Sequence, residues 1–171
     1  MPDLIRSVVL DTPIGPLSLL AHGRRLVGGG FTADPAGLHT RLHRSLRGLP
    51  LRPAPAGELP WLARPVHGYF AGELQALDGI PVYQPGTPGR QALWAALRAV
   101  PPGRTVSYTE LAAQAGSPHA PRAAGAACAL NLIAPVVPCH RAVGGTGRLT
   151  GYYYGVHRKA WLLRHEGARA D

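Results

Sequence analysis

Residues 105–130 read TVSYTELAAQAGSPHAPRAAGAACAL, and this stretch decides how the second half of the chain folds. Ser107 and Glu110 stand three apart, the spacing at which an N-cap hydroxyl and a third-position carboxylate satisfy each other's backbone amides. A helix is predicted to open there, to carry Leu111, Ala112 and Ala115, and to stop at Gly116, since glycine readily takes the left-handed conformation that closes helices. A second helix is predicted from about Ala120 to Leu130, with Gly125 inside it. Two short helices joined by a tight glycine-containing turn form a helix-turn-helix. The second helix is small-sided, so Ala123 and Gly125 let its backbone approach a groove wall, while Arg122 places a planar cation at its start. That pattern points to nucleic acid, with a helical hairpin in a core as the bland alternative.

Working outward, Thr87-Pro88 opens an earlier helix, with proline at the first helical position and Leu93, Trp94 and Leu97 on one apolar face up to Pro101-Pro102-Gly103. On the other side, the apolar run Val136-Val137 leads into Pro138-Cys139-His140-Arg141. A thiolate is the nucleophilic form of cysteine, and cationic or hydrogen-bonding neighbours are expected to pull the thiol down from its ordinary value. Histidine is the side chain suited to take a thiol proton near neutral pH. Adjacent residues on a strand point opposite ways, so a cysteine–histidine contact requires a turn at this point.

The first half reads as strands and turns. Ser7–Asp11, Leu17–Ala21 and Leu26–Phe31 are short apolar segments punctuated by Pro13, Gly15, Gly23 and the Gly28–Gly30 run. The glycine triplet lacks the Lys-Ser/Thr ending of a phosphate loop and is read as a hairpin or bulge. Leu38, Leu42 and Leu46 predict one short amphipathic helix, residues 50–60 a loop, and Trp61–Leu77 a partial helix interrupted by Pro65 and ending near Gly79.

Charge divides unevenly along the 171 residues. Residues 1–85 hold eight arginines against six acids, whereas residues 86–171 hold nine arginines and Lys159 against Glu110, Glu166 and Asp171. The basic half is expected to be drawn to polyanions. No stretch approaches the ~20 apolar residues of a membrane span, and no secretory signal opens the chain, so a soluble, cytoplasmic protein without membrane attachment is expected. Two cysteines are too few for a disulfide framework, and their spacing fits no structural zinc site; Cys128 alone is read as a buried small hydrophobe.

Together with Gly86-Thr87-Pro88, Val106-Ser107-Tyr108, Arg122-Ala123-Ala124-Gly125, Asn131, Gly151-Tyr152, Arg158-Lys159 and Trp161–Gly167, the run Pro138–Arg141 resembles the signature of the O6-alkylguanine-DNA alkyltransferases. These are also called methylated-DNA–protein-cysteine methyltransferases. Residues 1–85 resemble the family's variable N-terminal domain loosely, through Thr12–Gly15 and Tyr69–Gly72. The resemblance implies an α/β fold: a small ribonuclease-H-like N-terminal domain over 1–85, then a winged helix-turn-helix-like C-terminal domain over 86–171. It implies a single-use repair enzyme acting as a monomer on duplex DNA carrying O6-alkylguanine, and less well on O4-methylthymine, with base flipping and no cofactor.

By position, the resemblance makes Cys139 the alkyl acceptor and gives His140, through a water, and Glu166 a proton relay that keeps the thiol near its thiolate form. Asn131 would brace the active-site turn. Arg122 would fill the place of the flipped nucleotide, and Tyr108 would crowd the target phosphate and offer its hydroxyl to the guanine. Tyr152, the amide of Tyr153 and the backbone of Val137 would line the base pocket. Some relatives hold zinc in the N-terminal domain through cysteine and histidine; with no cysteine before Cys128, no metal is expected here. Three positions depart from the pattern: Leu132 stands where proline usually follows Asn131, Pro121 where alanine precedes Arg122, and Gly89 where an aromatic is customary. Pro121 would break a helix begun at Pro118, moving the predicted start later. Two other functions share the Cys139-His140 pattern or the basic half: a conventional cysteine hydrolase, and a lesion-binding protein that repairs nothing.

Overall fold

The computed structural model describes residues 3–169. It divides into two compact units, one comprising the chain to Pro85 together with Leu132–Val136, the other Gly86–Asn131 and the chain from Val137 onward.

The first unit is a four-stranded sheet with helices. Strands β1 (Ile5–Thr12), β2 (Gly15–His22) and β3 (Arg25–Gly30) form an antiparallel meander, and β4 (Leu51–Pro53) lies parallel to β1, giving the order β3-β2-β1-β4. Central β2 buries Leu17 through Ala21 without alternation, as a strand does when both its faces are covered. Leu38, Leu42 and Leu46 pack with Ile5, Leu20 and Val27 in one cluster.

The three leucines belong to two helices rather than the single one expected, α1 (Pro35–Thr40) and α2 (Arg44–Arg47). His43 breaks the run: its side chain accepts from the Ser45 amide and so caps a new helix. The 50–60 segment, read as a loop, contains β4 and a 3₁₀ turn at Ala56–Glu58. Prolines are tolerated there because β4 is an edge strand. Helix α3 (Pro60–Phe70) runs straight through Pro65, because Leu62, Ala63, Val66 and Tyr69 all bury along one side and outweigh the missing backbone bond.

The glycine run is neither hairpin nor bulge: Gly28, Gly29 and Gly30 pair in regular register with Leu20, Leu19 and Ser18, and the bulge falls just before them, at Val27, where the register shifts between Leu20 and Ala21. Gly29 has a second duty. Its amide donates to Leu132 O at 2.7 Å, its carbonyl accepts from Ala134 N at 3.0 Å, and an added Cβ would stand 2.8 Å from Ala134 O. Only glycine allows that approach.

The second unit is mainly helical. Thr87 caps α4 (Pro88–Ala99) by accepting from Arg90 N at 3.2 Å, and Leu93, Trp94 and Leu97 bury as expected. Ser107 and Glu110 form the anticipated capping box at the start of α5 (Tyr108–Gln114). That helix closes at Gly116 (φ 85°), with Ser117 N donating to Ala112 O and Gly116 N to Ala113 O, the paired bonds of a Schellman ending. Helix α6 (Pro121–Ala129) begins at Pro121 itself, where the missing N–H costs nothing. Two short parallel strands, β5 (Val106–Ser107) and β6 (Ala142–Val143), flank the helix pair, and α7 (Val156–His165) ends the unit. Gly89 is exposed, with open space around it. Among the described residues no helix is long and apolar enough to cross a membrane.

Candidate active site

Cys139, His140 and Arg141 form one 3₁₀ turn between the buried Val136-Val137 run and β6. Two bonds shape it: the Cys139 amide donates to Val137 O at 2.9 Å and the Arg141 amide to Pro138 O at 3.0 Å. Asn131 Nδ2 donates to the same Val137 carbonyl at 2.8 Å, so both lone pairs of that oxygen are taken. Asn131 is 5 % exposed and its bond ties the end of the α6 segment to the turn.

The turn sends its three side chains to different work. Cys139 is 8 % exposed and lines a cavity of about 250 Å³, together with Tyr108, Gly125, Cys128, Asn131 and Gly151–Tyr154. His140 and Arg141 point away, into a buried cluster around Glu166. His140 Nε2 donates to Glu166 Oε2 at 2.9 Å. Arg141 grips the same carboxylate with Nε and Nη2, both at 2.9 Å, and gives Nη1 to Val100 O at 2.6 Å. Such a fork-to-fork pair fixes orientation as well as charge.

This network sets protonation states. Burial alone would raise the Glu166 carboxyl, but hydrogen bonds from His140 and Arg141, with the Arg141 charge, more than reverse it and hold it well below the usual carboxylate range. An ionised carboxylate only accepts, so His140 Nε2 carries the hydrogen. Burial pushes the imidazole down, against the pull of Glu166, and keeps it neutral. Its Nδ1 is then a lone-pair base, buried and without a hydrogen-bond partner.

The thiol departs from expectation. Burial raises Cys139 above its ordinary value and outweighs the lowering influence of Asn131 and the Lys159 charge. The resting side chain is therefore a protonated thiol, not a near-thiolate. The cation acting on the thiol is Lys159 rather than the anticipated His140 or Arg141, and desolvation of the sulfur is the larger effect.

Other anticipated residues fall in several places. Tyr108, Gly125, Tyr152 and Tyr153 line the cavity; Val137 does not, being fully buried behind it. Tyr153 is 67 % exposed. Arg122 and Ala123 stand exposed on the first turn of α6, outside the cavity lining.

Four contributors went unassigned in the sequence. Arg141 was read only as a neighbour of Cys139. Cys128 shares the cavity wall, its thiol pushed up to about 12 by burial and then by Cys139. Thr150 Oγ1 lies 2.5 Å from the Tyr108 hydroxyl, 42 residues away in the chain. Lys159 is 1 % exposed, and its Nζ donates to Ala142 O at 2.6 Å and reaches Thr150 O at 3.4 Å. Only Lys159 left a signal, a cation three and four residues ahead of Leu162 and Leu163 and so on their apolar stripe.

The sequence description of the 6-O-methylguanine DNA methyltransferase DNA binding domain matches residues 88–168. Methylated-DNA–protein-cysteine methyltransferase of Mycobacterium bovis is 39% identical over 170 residues, covering 98% of this chain and 95% of the relative. The protein of the same name from Salmonella typhimurium is 54% identical over 99 residues, 58% of either chain, so the match spans little over half of that relative. The crystal structure of Mycobacterium tuberculosis O6-methylguanine methyltransferase superposes with a TM-score of 0.79 at 37% identity, over 98% of this chain and 97% of that one. A crystal structure of Mycobacterium tuberculosis OGT in complex with DNA gives 0.78 at 38% identity, over 95% and 92%.

Proposed function

Because the chain belongs to the methylated-DNA–protein-cysteine methyltransferase family, we propose that it repairs duplex DNA by taking the alkyl group from O6 of guanine onto Cys139. The observation that carries this reading is a thiol on the wall of a base-sized cavity, with a neutral histidine base beside it in the chain and a fixed carboxylate behind that base. O4-methylthymine is a poorer substrate of the same chemistry. The protein acts as a monomer in the cytoplasm, without a cofactor.

An O6 substituent is hidden inside a duplex, so the guanine must swing out of the stack, at a cost of a few kcal/mol. Arg122, exposed at the start of a small-sided helix, enters the gap, with Ala123 and Gly125 allowing close approach. Tyr108 crowds the phosphate, and Tyr152 with the Tyr153 amide receives the base. Val137 serves by bracing the turn, since its carbonyl is already doubly engaged. We read the two units as a ribonuclease-H-like domain and a winged helix-turn-helix, with the chemistry in residues 86–171.

In the transfer step the sulfur–carbon bond forms as the carbon–O6 bond breaks, and the electron pair leaves with guanine. The thiol proton passes toward His140 Nδ1, directly or through water. The resulting imidazolium is stabilised by Glu166, which Arg141 holds in place. A hydrogen-bond donor at the departing base stabilises its growing charge. The thioether product is a very poor leaving group, so each molecule acts once.

The test is intact-mass measurement after mixing with a duplex containing one O6-methylguanine. The expected result is a single methyl added, at Cys139, and none on Cys139→Ala, which still binds the duplex. Repeated turnover without mass gain would point to a hydrolase, and binding without transfer to a lesion sensor; either would sink the proposal.

A further inference from the structure

Tyr108 opens α5 and forms part of the cavity wall, yet its hydroxyl is held from across the site. Thr150 Oγ1 meets it at 2.5 Å, short for a hydroxyl pair. Thr150 lies in the segment between β6 and α7 and is half-buried. Its position is fixed from below, because its carbonyl is within 3.4 Å of the buried Lys159 ammonium, which also donates to Ala142 O. The sequence Lys159, Thr150, Tyr108 thus runs from the packed interior to the cavity.

A tyrosine hydroxyl has one hydrogen to give. Were that hydrogen donated to Thr150, none would be left for a base in the cavity. With Thr150 as donor, the phenol oxygen is the acceptor and its own hydrogen is directed inward. A hydroxyl that accepts one hydrogen bond also donates a stronger one.

We propose that Thr150 is a positioning residue for the transfer reaction: it donates to the Tyr108 oxygen and thereby aims the Tyr108 hydrogen at the guanine as it leaves. This rests on the reading under Proposed function and adds a member to that site. When the carbon–O6 bond breaks, its electron pair stays on the guanine, and the Tyr108 hydrogen is shared with or passed to the ring. Thr150 keeps its hydrogen and donates it as a hydrogen bond to the phenol oxygen, steadying the negative charge left there when the Tyr108 hydrogen passes to the ring, and the thiol proton goes to His140.

Single-turnover methyl transfer from an O6-methylguanine duplex tests this. Thr150→Val keeps the branched shape and removes the hydroxyl; it should slow transfer about tenfold, the worth of one hydrogen bond. Thr150→Ala should do the same, and Thr150→Ser should stay within about twofold of the wild type, since the hydroxyl remains. The decisive arm is a double-mutant cycle. In a Tyr108→Phe background, Thr150→Val should cost nothing further, whereas a merely structural threonine would cost the same in both. Wild-type speed in both Thr150→Val and Thr150→Ala, or an equal loss in the Phe background, overturns the role of Thr150 alone. Failure of the wild type to accept a methyl group overturns the parent reading and this one with it.

Discussion

The turn that carries Cys139 and the helix that carries Arg122 belong to one unit, yet they are held by opposite means. The turn is fixed by charge. His140, Arg141 and Glu166 are at most 4 % exposed, and the hydrogen bonds from His140 and Arg141 to Glu166 end on an ionised carboxylate. Helix α6 is held by small apolar contacts, with Ala124 and Ala127 buried, and its N-cap, Ala120, makes no side-chain bond. Arg122, Ala123 and Ala126 face out. The contrast is one of tethering: the side chains of the turn are over-determined, while Arg122 and Ala123 sit exposed on a helix with an uncapped start.

The largest break should come from Glu166→Gln. It leaves the Arg141 guanidinium buried without a counter-charge, a change that typically costs about 3–5 kcal/mol. Urea unfolding should show that loss, together with slowed methyl transfer; a loss under about 1 kcal/mol would mean the network is ornamental.

Acid probes the same region. Glu166 binds its proton less readily in the folded chain than in the unfolded one, so its stabilisation is complete above the ordinary carboxyl value of 4.5 and drains away as pH falls below it. His140, also depressed, acts with the same sign beneath its ordinary 6.5. The urea midpoint should fall between pH 4.5 and about pH 2.5, more shallowly in Glu166→Gln, which has no carboxyl there to protonate. Equal slopes in the two proteins would refute the assignment.

Helix α6 should respond gently. Ala120→Ser supplies the missing cap and should stabilise by about 0.5–1 kcal/mol, measurable as a higher melting temperature. No gain would mean that Ala120 is not a free N-cap. Smallest in stability is Arg122→Ala, expected within about 0.5 kcal/mol of the wild type, but with slower repair of duplex DNA. An unchanged repair rate would remove Arg122 from the DNA face.

The contrast also explains what could be read in the sequence. Helix ends were legible because capping is local: Thr87, the Ser107–Glu110 box and Gly116 each act within a few residues. The three-strand meander was legible from its glycine and proline punctuation. Strand β4 was not, because Pro50 and Pro53 disguise an edge strand that exists only where β1 offers it Ser7 O and Ile5 N. Cys139 and its neighbour His140 could be singled out as candidates from adjacent letters. The direction of the thiol's shift could not, since it depends on how deeply the sulfur is buried. Thr150 escaped for a similar reason, since its partner stands 42 residues away and nothing local announces it; the stripe position of Lys159 hints at burial but not at its partner Ala142, 17 residues away.

Leu132–Val136 groups with the first unit although both its flanks belong to the second. The polypeptide therefore passes between the units after Pro85, after Asn131 and after Val136. No single cut in the gene can liberate the second unit. A fragment starting at Gly86 would carry a raw apolar strip, with Ile133 and Ala134 stripped of their backbone partner Gly29. That strip would lie between Asn131 and Val137, whose mutual bond shapes the Cys139 turn. A front half exchanged with a relative's would need a third strand that can still grip this excursion.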